Sequence, residues 1–403
     1  MPGRGVPRSL TSRYDAAARG HLAVVTPLEG IRRMSATLKR TPLYERHVAL
    51  GAKIVDFAGW AMPVTYDGLV AEHQRVRARA GLFDVSHMGE LYFEGAGATA
   101  TLDQLATNDV AALPDGKVLY TALCNQDGGV RDDALVYRIS ATQYVLVVNA
   151  SNTDKIAAWA RDHLQPGTIM QDVSERTALL ALQGPESTAI LSASKVLGPL
   201  AGKLAALDYY EFVFGEVEGV PMVVSRTGYT GERGYEIYLS PERAGDLWDE
   251  LIEKGRAHGL GPAGLGARDT LRFEVGFCLY GNELEEDISP LEAGIGWTVK
   301  LRKPKFLGKA ALERQKANGL PRTLIGFEVQ ERAIARHGFE VVAHGRDVGR
   351  VTSGTWSPSL ERSLGLALVQ TAAVTAPLVV RIRGREVPVQ TVPIPFRKPL
   401  SRA

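Results

Sequence analysis

The sequence contains little cysteine. Only Cys124 and Cys278 occur among its 403 residues, far apart and in no CxxC pair. Such a chain offers neither a disulfide framework nor a thiolate zinc site. The eight histidines are scattered, and His73 and His87 lack the i, i+4 spacing of a helix-borne zinc site. We therefore expect a reducing compartment and no bound metal.

The chain also lacks a large excess of either charge and any long apolar run. Lys and Arg number 47 against 45 Asp and Glu, a formal net charge of +2, which argues against a general nucleic-acid binder. No apolar run reaches transmembrane length, so we expect no membrane insertion. Hydrophobic residues make up 45% of the chain, which is enough to form packed cores in two or three domains.

Two common catalytic signatures are absent. The chain has no GxxxxGK[ST] phosphate loop and no GxSxG hydrolase elbow. Gly259, Gly261 and Gly264 do match GxGxxG, but they follow a predicted helix and not a strand. A dinucleotide site is therefore not expected there, because its phosphate cradle needs the strand-to-helix order.

The composition divides the chain into regions. Residues 1–40 hold seven Arg and one Lys against one Asp and one Glu, and we expect a disordered or non-native extension; a transit peptide shares that bias. Residues 41–308 alternate helix-like and strand-like segments, which indicates a mixed α and β region. A polar linker is predicted at 309–320. From 321 to 398, short strands with frequent glycines predict a small antiparallel β-barrel.

Adjacent carboxylates at Asp132 and Asp133 follow the turn Asp-Gly-Gly at 127–129. The segment 130–139 alternates as a strand, so Asp133 shares a face with Leu135 and Tyr137. A carboxylate aimed into apolar surroundings costs several kcal/mol unless it is paired or hydrogen-bonded. Two interpretations remain open on this pattern: a solvated pair of aspartates that caps the hairpin, or a catalytic carboxylate in a pocket.

Three further clusters carry polar side chains in apolar company. In 83-FDVSHMGEL-91, His87 is either a hydrogen-bonded strand histidine or a site residue. In 226-RTGYTGERGYEIYL-239, glycines permit close backbone approach to a ligand, and Glu236 is either a ligand contact or a solvent-facing strand residue. In 264-GLGARDTLRFEVGFCLYGNEL-284, the charged residues at 268, 269, 272 and 274 have helical spacings that are typical of intrahelical ion pairs.

Taken in order, these clusters resemble one family, the glycine cleavage T proteins or aminomethyltransferases, over about residues 41–396. The resemblance rests on nine blocks: TPLYERH (41–47), VDFAGWAMPVTY (55–66), GLFDVSHMGEL (81–91), GGVRDDALVY (128–137), LQGPES (182–187), RTGYTGERGYEI (226–237), GLGARDTLRFEVGFCLYGNEL (264–284), ISPLEAGIGW (288–297) and TSGTWSPSL (352–360).

The resemblance implies an α+β, three-domain clover-leaf fold around a tetrahydrofolate site, in which residues 41–308 form two interleaved α/β subdomains and a small antiparallel β-barrel is the third domain. It implies transfer of the one-carbon unit of an aminomethyl group from the lipoyl arm of H protein to tetrahydrofolate. The products are 5,10-methylenetetrahydrofolate, ammonia and dihydrolipoyl H protein. P and L proteins belong to the same system. We expect a monomer in the bacterial cytoplasm, or in the mitochondrial matrix if the source is eukaryotic.

The same resemblance assigns site residues. The second Asp of the GG-x-x-DD block is the family's catalytic carboxylate and falls on Asp133. The family's folate-binding Glu and Arg fall on Glu236 and Arg268; a carboxylate suits the two-donor pterin edge, and an Arg suits a glutamyl carboxylate. Further pocket residues implied by the resemblance are Met88, Tyr120, Tyr137, Asn149, Tyr229 and Trp297.

The chain departs from the family at its C-terminus. Family members often carry an aromatic folate contact in the tail, whereas 395-PFRKPLSRA-403 has none after Phe396. The basic tail suits an acidic partner such as H protein, or it is simply solvated. Rival functions are a folate-dependent demethylase, a sarcosine-type oxidase domain and a folate-binding iron–sulfur assembly factor. Against the last, the region of Cys278 has GFCLYGNE in place of a Lys-Gly-Cys-Tyr-type motif.

Overall fold

The computed structural model describes residues 38–217 and 219–401. Residues 1–37 of the predicted extension lie outside this described part. Residues 38–40 belong to the folded unit, because the Lys39 amide donates to the Gly59 carbonyl (2.9 Å) and the Lys39 carbonyl accepts from the Ala61 amide (2.8 Å). The folded unit therefore includes residues before the predicted start at 41.

Strands dominate the described residues. They are β1 Lys53–Phe57, β2 Trp60–Thr65, β3 Ala80–Asp84, β4 Gly89–Glu94, β5 Val118–Cys124, β6 Val130–Ser140, β7 Gln143–Val148, β8 Ile169–Asp172, β9 Ala178–Gln183, β10 Phe212–Val217, β11 Val220–Ser225, β12 Gly234–Leu239, β13 Leu260–Pro262, β14 Arg322–Val329, β15 Glu340–Ala343, β16 Arg346–Ser357, β17 Arg362–Gln370, β18 Leu378–Ile382 and β19 Arg385–Val392. The α-helices are α1 Tyr44–Ala49, α2 Leu69–Ala78, α3 Ala98–Leu105, α4 Thr153–Arg161, α5 Ser187–Ala193, α6 Ala201–Ala206, α7 Pro241–Gly255, α8 Leu265–Glu274 and α9 Lys309–Asn318.

The strands form two large sheets, a hairpin and a barrel. One sheet has the order β10-β11-β12-β9-β3-β13, and the other has the order β5-β6-β7-β4-β8. The β1-β2 hairpin stands apart from both, and β14-β17-β16-β15-β18-β19 close into an antiparallel barrel. The predicted α+β architecture with a C-terminal barrel is confirmed.

Apolar spacing explains how the six-stranded sheet is covered. Strand β9, with the sequence ALLALQ, is buried along its whole length, as a central strand packed on both faces requires. Helix α7 turns Leu247, Trp248 and Leu251 toward the same core, because these residues recur at three- and four-residue intervals and so share one helical face. A separate cluster that includes Val85, Tyr137 and Tyr238 fills the space between the two large sheets.

The segment predicted as a linker, 309–320, contains helix α9. Its Leu312 is 1% exposed and belongs to the cluster that includes Cys124 and Ile288. Gly308 precedes the helix with φ +86, and a Cβ there would lie 2.7 Å from the Asn125 carbonyl oxygen. The connection to the barrel is thus a packed helix with a glycine at its start.

The barrel is fixed to α8 by buried polar contacts. Glu274 accepts hydrogen bonds from Ser357 Oγ (2.5 Å) and the Ser359 amide (3.0 Å), and Arg272 donates to Ser353 Oγ (2.8 Å). Strand β15, with four residues, is the shortest strand of the barrel. Among the described residues, no helix is long and apolar enough to cross a membrane.

Candidate functional site

A cavity of about 1190 Å³ opens where the two large sheets, α8 and the start of the barrel meet. Its wall includes Asp133 from β6, Glu236 from β12, Arg268 from α8 and Leu324 from β14. Pockets for small ligands usually measure roughly 300–1000 Å³. The volume therefore suffices for a sizeable ligand together with part of a second one.

The structure brings most residues expected at the site to this cavity. Tyr137 is not among its lining residues; it is 2% exposed and lies between the two sheets. The Tyr137 hydroxyl is 2.8 Å from the hydroxyl of Tyr238, which does line the wall. The expected residues that line the cavity are Met88, Tyr120, Asp133, Asn149, Tyr229, Glu236, Arg268 and Trp297.

The two adjacent aspartates differ in placement. Asp132 is fully buried, whereas Asp133 is half-buried and faces the cavity. Tyr120 donates to Asp133 Oδ2 (2.9 Å), and Asn149 Nδ2 donates to Asp133 Oδ1 (2.8 Å). The interpretation as a solvated, hairpin-capping pair is wrong, because the strand runs inward and carries both carboxylates away from the turn.

Burial raises the pKa of Asp133 above its ordinary value, and the hydrogen bonds from Tyr120 and Asn149 oppose that rise. The nearby Glu283 carboxylate adds to the increase. An aspartate in such surroundings binds a proton more readily than one in water. It can therefore act both as a counter-charge to a cation and as a proton acceptor.

Glu236 presents a second carboxylate to the cavity. It is 6% exposed, and Thr227 Oγ1 donates to its Oε2 at 2.5 Å. Burial raises the pKa of Glu236, and the hydrogen bond from Thr227 opposes that rise. Among the described residues, Thr227 is the donor to this carboxylate, so Oε1 keeps its capacity to accept hydrogen bonds from a ligand.

Arg268 supplies a cation on the same wall. Its guanidinium lies over the ring of Tyr229, with Cζ 4.6 Å from the ring centroid. The Tyr229 ring is held in turn, because its hydroxyl donates to the Cys278 carbonyl. Within the described ranges, Arg268 forms no ion pair, so its donors are available to an anionic or carbonyl group of a ligand.

An aromatic pair stands at one side of the cavity. Tyr120 and Trp297 stack with their centroids 5.7 Å apart and their planes 29° from parallel. Trp297 is 55% exposed, which is high for so large an apolar side chain. Flat, partly exposed rings of this kind are suited to contact with a planar ligand.

His87 differs from the hydrogen-bonded strand histidine that was one interpretation of its sequence. It lies in the turn between β3 and β4, and its Nδ1 has no hydrogen-bond partner in the described part of the chain. Burial lowers the pKa of His87 to about 4. The ring is therefore neutral at physiological pH, and it lies edge-on to Phe57 at the cavity wall.

The glycines of the 226–239 segment make room for a protein side chain. A Cβ on Gly228 would lie 2.1 Å from Gln183 Oε1, and one on Gly234 would lie 2.4 Å from Gln183 Cδ. Gln183 Nε2 donates to the Thr227 carbonyl (3.2 Å). The sequence led us to expect a ligand close to these glycines. The Gln183 side chain lies there instead, and it supports the loop that carries Thr227.

The charged residues of α8 only partly form the expected intrahelical pairs. Arg272 pairs with Asp269 (2.8 Å), but also with Glu283 outside the helix (2.9 Å). Glu274 pairs with Arg77 on α2 (3.0 Å). Arg272 and Glu274 connect α8 to its neighbours, whereas Arg268 and Asp269 line the cavity.

The GxGxxG match has a strand that the sequence analysis missed. Strand β13 lies inside the motif and α8 follows it. Even so, a Cβ on Gly261 would lie 2.6 Å from Arg75 Nη1, and one on Gly264 would lie 2.4 Å from the Val64 carbonyl oxygen. These glycines therefore accommodate the protein's own atoms, and no space for a phosphate remains beside them.

Several wall residues were not expected from the sequence. Phe57 comes from the β1-β2 hairpin, Cys278 from the loop after α8, and Ile394 and Pro395 from the C-terminal tail. Their side chains carry no charge pattern by which sequence reasoning could find them. Phe396, the last aromatic residue of the tail, packs against Phe273 with ring centroids 5.1 Å apart.

Two family models match the chain. Residues 43–303 match the GCVT N-terminal domain, and residues 322–398 match the glycine cleavage T-protein C-terminal barrel domain. Together they span both large sheets and the barrel.

Curated proteins and a solved structure are similar along nearly the whole chain. Aminomethyltransferases of Halothermothrix orenii and Rubrobacter xylanophilus are 47% and 51% identical to it; each alignment covers 89% of this chain, and 100% and 94% of the relative. A crystal structure of glycine cleavage system aminomethyltransferase T from Bartonella henselae superposes with a TM-score of 0.82 at 32% identity. It covers 90% of this chain and 99% of that one.

Proposed function

The chain belongs to the glycine cleavage T-protein family of aminomethyltransferases, and from that premise we propose its reaction. It transfers the one-carbon unit of an aminomethyl group, carried on the lipoyl arm of H protein, to tetrahydrofolate. The atoms balance: two N–H hydrogens of tetrahydrofolate leave with the sulfur and the nitrogen of the donor. The products are 5,10-methylenetetrahydrofolate, ammonia and dihydrolipoyl H protein.

One observation carries the proposal. A single cavity contains a carboxylate at Asp133, a second carboxylate at Glu236 and a cation at Arg268, supplied by β6, β12 and α8. The transfer needs negative charge beside a cationic carbon, acceptors for the N–H donors of a pterin and a partner for an anionic tail. The three groups match these needs in number and sign.

Asp133 is the proposed catalytic residue. Its carboxylate is held by Tyr120 and Asn149 and remains open to the cavity. There it stabilises positive charge at the carbon being transferred and accepts the proton that the acceptor nitrogen loses. Because burial raises its pKa, it accepts that proton more readily than an ordinary aspartate does.

Glu236 and Arg268 are the proposed binding residues for tetrahydrofolate. Glu236 accepts hydrogen bonds from the pterin edge through the oxygen that Thr227 does not use. Arg268, whose guanidinium lies over the Tyr229 ring, donates to a carbonyl or carboxylate beyond the pterin. Trp297 and Tyr120 offer ring faces to the planar parts of the ligand.

The cavity volume supports two occupants. At about 1190 Å³, it has room for tetrahydrofolate and for the end of a lipoyl arm. The donor is then H protein, with P and L proteins completing the same system. We place the protein in the bacterial cytoplasm as a monomer.

The test is release of ammonia and methylenetetrahydrofolate from H protein loaded with the aminomethyl-lipoyl adduct, with and without tetrahydrofolate. We expect folate-dependent release, and a fall in kcat of about 100-fold or more in Asp133→Asn. The tetrahydrofolate Kd of that variant should stay within about threefold of the wild-type value, a difference below about 0.7 kcal/mol. Asp127→Asn, an exposed aspartate in the same hairpin, is the matched control and should keep the wild-type rate.

Two outcomes would contradict the proposal. If Asp133→Asn kept most of its kcat with folate bound, the catalytic role of the carboxylate would be wrong. If the wild type bound tetrahydrofolate tightly but released nothing from loaded H protein, the donor assignment would be wrong. A folate-dependent demethylase of a small methylated donor would then be the next function to assay.

A further inference from the structure

Asp132 and Asp133 are both tied to one side-chain amide. Asn149 Nδ2 donates to Asp132 Oδ1 (2.7 Å) and to Asp133 Oδ1 (2.8 Å). The same nitrogen also lies 3.2 Å from the Asp133 carbonyl oxygen. Since an amide nitrogen carries two hydrogens, one can serve Asp132 while the other is shared by the two acceptors of Asp133. The amide bridges two side chains that leave β6 on opposite faces.

The Asp132 end of this bridge is rigid. Its carboxylate also accepts hydrogen bonds from the Asn149 backbone amide (3.0 Å) and from Asn152 Nδ2 (2.7 Å). Asp132 is fully buried, so no water competes for these bonds. Burial and the neighbouring Asp133 raise the pKa of Asp132 to about 7, and the hydrogen bonds from Asn149 and Asn152 oppose that rise. Three donors converge on this carboxylate, and the orientation of the Asn149 amide is thereby fixed.

No cation balances this charge. Among the described residues, neither Asp132 nor Asp133 has an ion-pair partner, so two adjacent carboxylates rest on hydrogen bonds alone. A buried pair of like charges is costly. A neutral residue at this buried position would avoid that cost, so a carboxylate here needs a compensating role.

We propose that Asp132 is a positioning residue, which holds the Asp133 carboxylate in the cavity wall by sharing the Asn149 amide with it. The inference rests on the proposed function, since it assigns Asp133 the catalytic role. Asp132 thus fixes the direction of the carboxylate.

Other titratable groups face the pair from every side. They are Tyr120 from β5, Tyr229 from the loop before β12, Cys278, Tyr280 and Glu283 from the segment after α8, and Lys155 on α4, which donates to the Tyr280 hydroxyl (2.8 Å). None of these groups hydrogen-bonds to the Asp132 side chain, although the Asp132 carboxylate contributes to the raised pKa of Tyr280. Replacing Asp132 therefore changes one neighbour of Asp133 and leaves the others in place.

The experiment is a double-mutant cycle of Asp132→Asn and Asn149→Ala, assayed for kcat between pH 5.5 and 9 with loaded H protein. We expect Asp132→Asn to lower kcat about tenfold or more with the tetrahydrofolate Kd nearly unchanged. In the Asn149→Ala background, Asp132→Asn should lower kcat by no more than about threefold further, because the bridge is already gone. Independent, multiplicative losses would overturn the proposal.

The pH profile separates positioning from a merely structural role. Because burial and the neighbouring Asp133 raise the pKa of Asp132 to about 7, wild-type kcat should fall as the pH drops through that value and the bridge weakens. The Asp132→Asn variant lacks this group, and its kcat should lose that part of the pH dependence. Asp103→Asn is the structural control: Asp103 accepts backbone hydrogen bonds from Val110 (2.9 Å) and Ala111 (3.2 Å), away from the cavity. Asp103→Asn should lower Tm without changing the pH dependence of kcat. If Asp132→Asn likewise lowered Tm and left the pH dependence of kcat unchanged, the proposal would be overturned.

A second readout does not depend on activity. In protein labelled with ¹³C at aspartate carboxyls, the Asp133 signal is assigned by its loss in Asp133→Asn and followed through a pH titration. In the wild type the Asp133 signal should shift near pH 7, where Asp132 titrates, and in Asp132→Asn that shift should be absent; an unchanged titration curve would refute the coupling. An inactive wild type with the expected shift would contradict the proposed reaction alone, whereas an active wild type without the shift would contradict this inference alone.

Discussion

The Glu236→Gln substitution gives a sharp test of the binding site. It keeps the shape of the side chain but replaces one carboxylate oxygen with an NH₂ group. Thr227 Oγ1 donates to Glu236 at 2.5 Å, and after substitution it still needs an acceptor. We therefore expect the carbonyl oxygen of Gln to remain on Thr227, which turns the new NH₂ group toward the cavity. There it meets the N–H donors of the bound ligand.

The size of the effect follows from the hydrogen bond that is lost. A hydrogen bond to a charged group contributes about 1.5–3 kcal/mol, which corresponds to a rise in Kd of roughly 10- to 150-fold. Glu236 is only 6% exposed, so water does not replace the lost partner and the upper part of that range is expected. Affinity can be measured anaerobically from the fluorescence of Trp297, which is exposed beside the cavity.

Glu232→Gln is the matched control for this titration. Glu232 is 4% exposed and lies in the same loop segment, but it pairs with Arg77 (3.0 Å) outside the cavity lining. Its substitution should reduce stability and leave Kd unchanged. A Glu236→Gln variant with a Kd within about threefold of the wild-type value, or a Glu232→Gln variant with an equal loss, would refute the assigned role.

Glu236 also predicts how binding depends on pH. Burial raises its pKa above the ordinary value of 4.5, so the carboxylate takes up a proton at a higher pH than an exposed Glu does. Because the ionised form is the better acceptor, Kd should rise as the pH falls through that raised value. The Glu236→Gln variant lacks this group, and its Kd should lose that part of the pH dependence.

Two predictions concern stability. Arg272→Ala leaves Glu283, which is fully buried, without its cation and should lower the free energy of unfolding by about 3–5 kcal/mol in urea titrations. The control, Arg362→Ala in an exposed ion pair of the barrel, should lower it by about 1 kcal/mol or less. Equal losses in the two variants would contradict the assignment. Glu90 has both carboxylate oxygens buried without partners in the described chain, and burial raises its pKa well above the ordinary value. The folded protein therefore binds a proton that the unfolded chain has released, so this residue costs stability at pH 8 and less as the pH falls toward 4.5. Thermal unfolding should show Glu90→Gln more stable than wild type at pH 8, with a difference that shrinks by pH 5; parallel curves would contradict this account.

The two-residue alternation of side chains along the strands was the most informative pattern in the sequence. Alternation along 130–139 placed Asp133 on the opposite face from Asp132, and the structure has Asp133 at the cavity and Asp132 fully buried. A period of two is a local property, so one sequence is enough to find it. The bridging amide of Asn149 comes from the end of another strand, and nothing local to β6 points to it.

Long-range partners explain most of the differences. The spacing of Arg272 and Glu274 is that of helix neighbours, yet Glu274 bonds to Ser357, 83 residues away. His87 has no hydrogen-bond partner on its Nδ1, a property that depends on what surrounds it in space. Ion-pair choice and side-chain satisfaction are set by tertiary packing, which local spacing does not encode.

The part of the cavity wall formed by Ile394 and Pro395 is the last part of the site to be synthesised. These residues follow the last barrel strand, and the tail is anchored where the Arg397 amide donates to the Glu274 carbonyl (2.8 Å). The ribosome has added Asp133, Glu236 and Arg268 to the nascent chain long before it adds residue 394. Ligand-assisted folding of this site is therefore a post-translational event, and a premature stop anywhere in the barrel yields a chain with its carboxylates present but its pocket open to solvent.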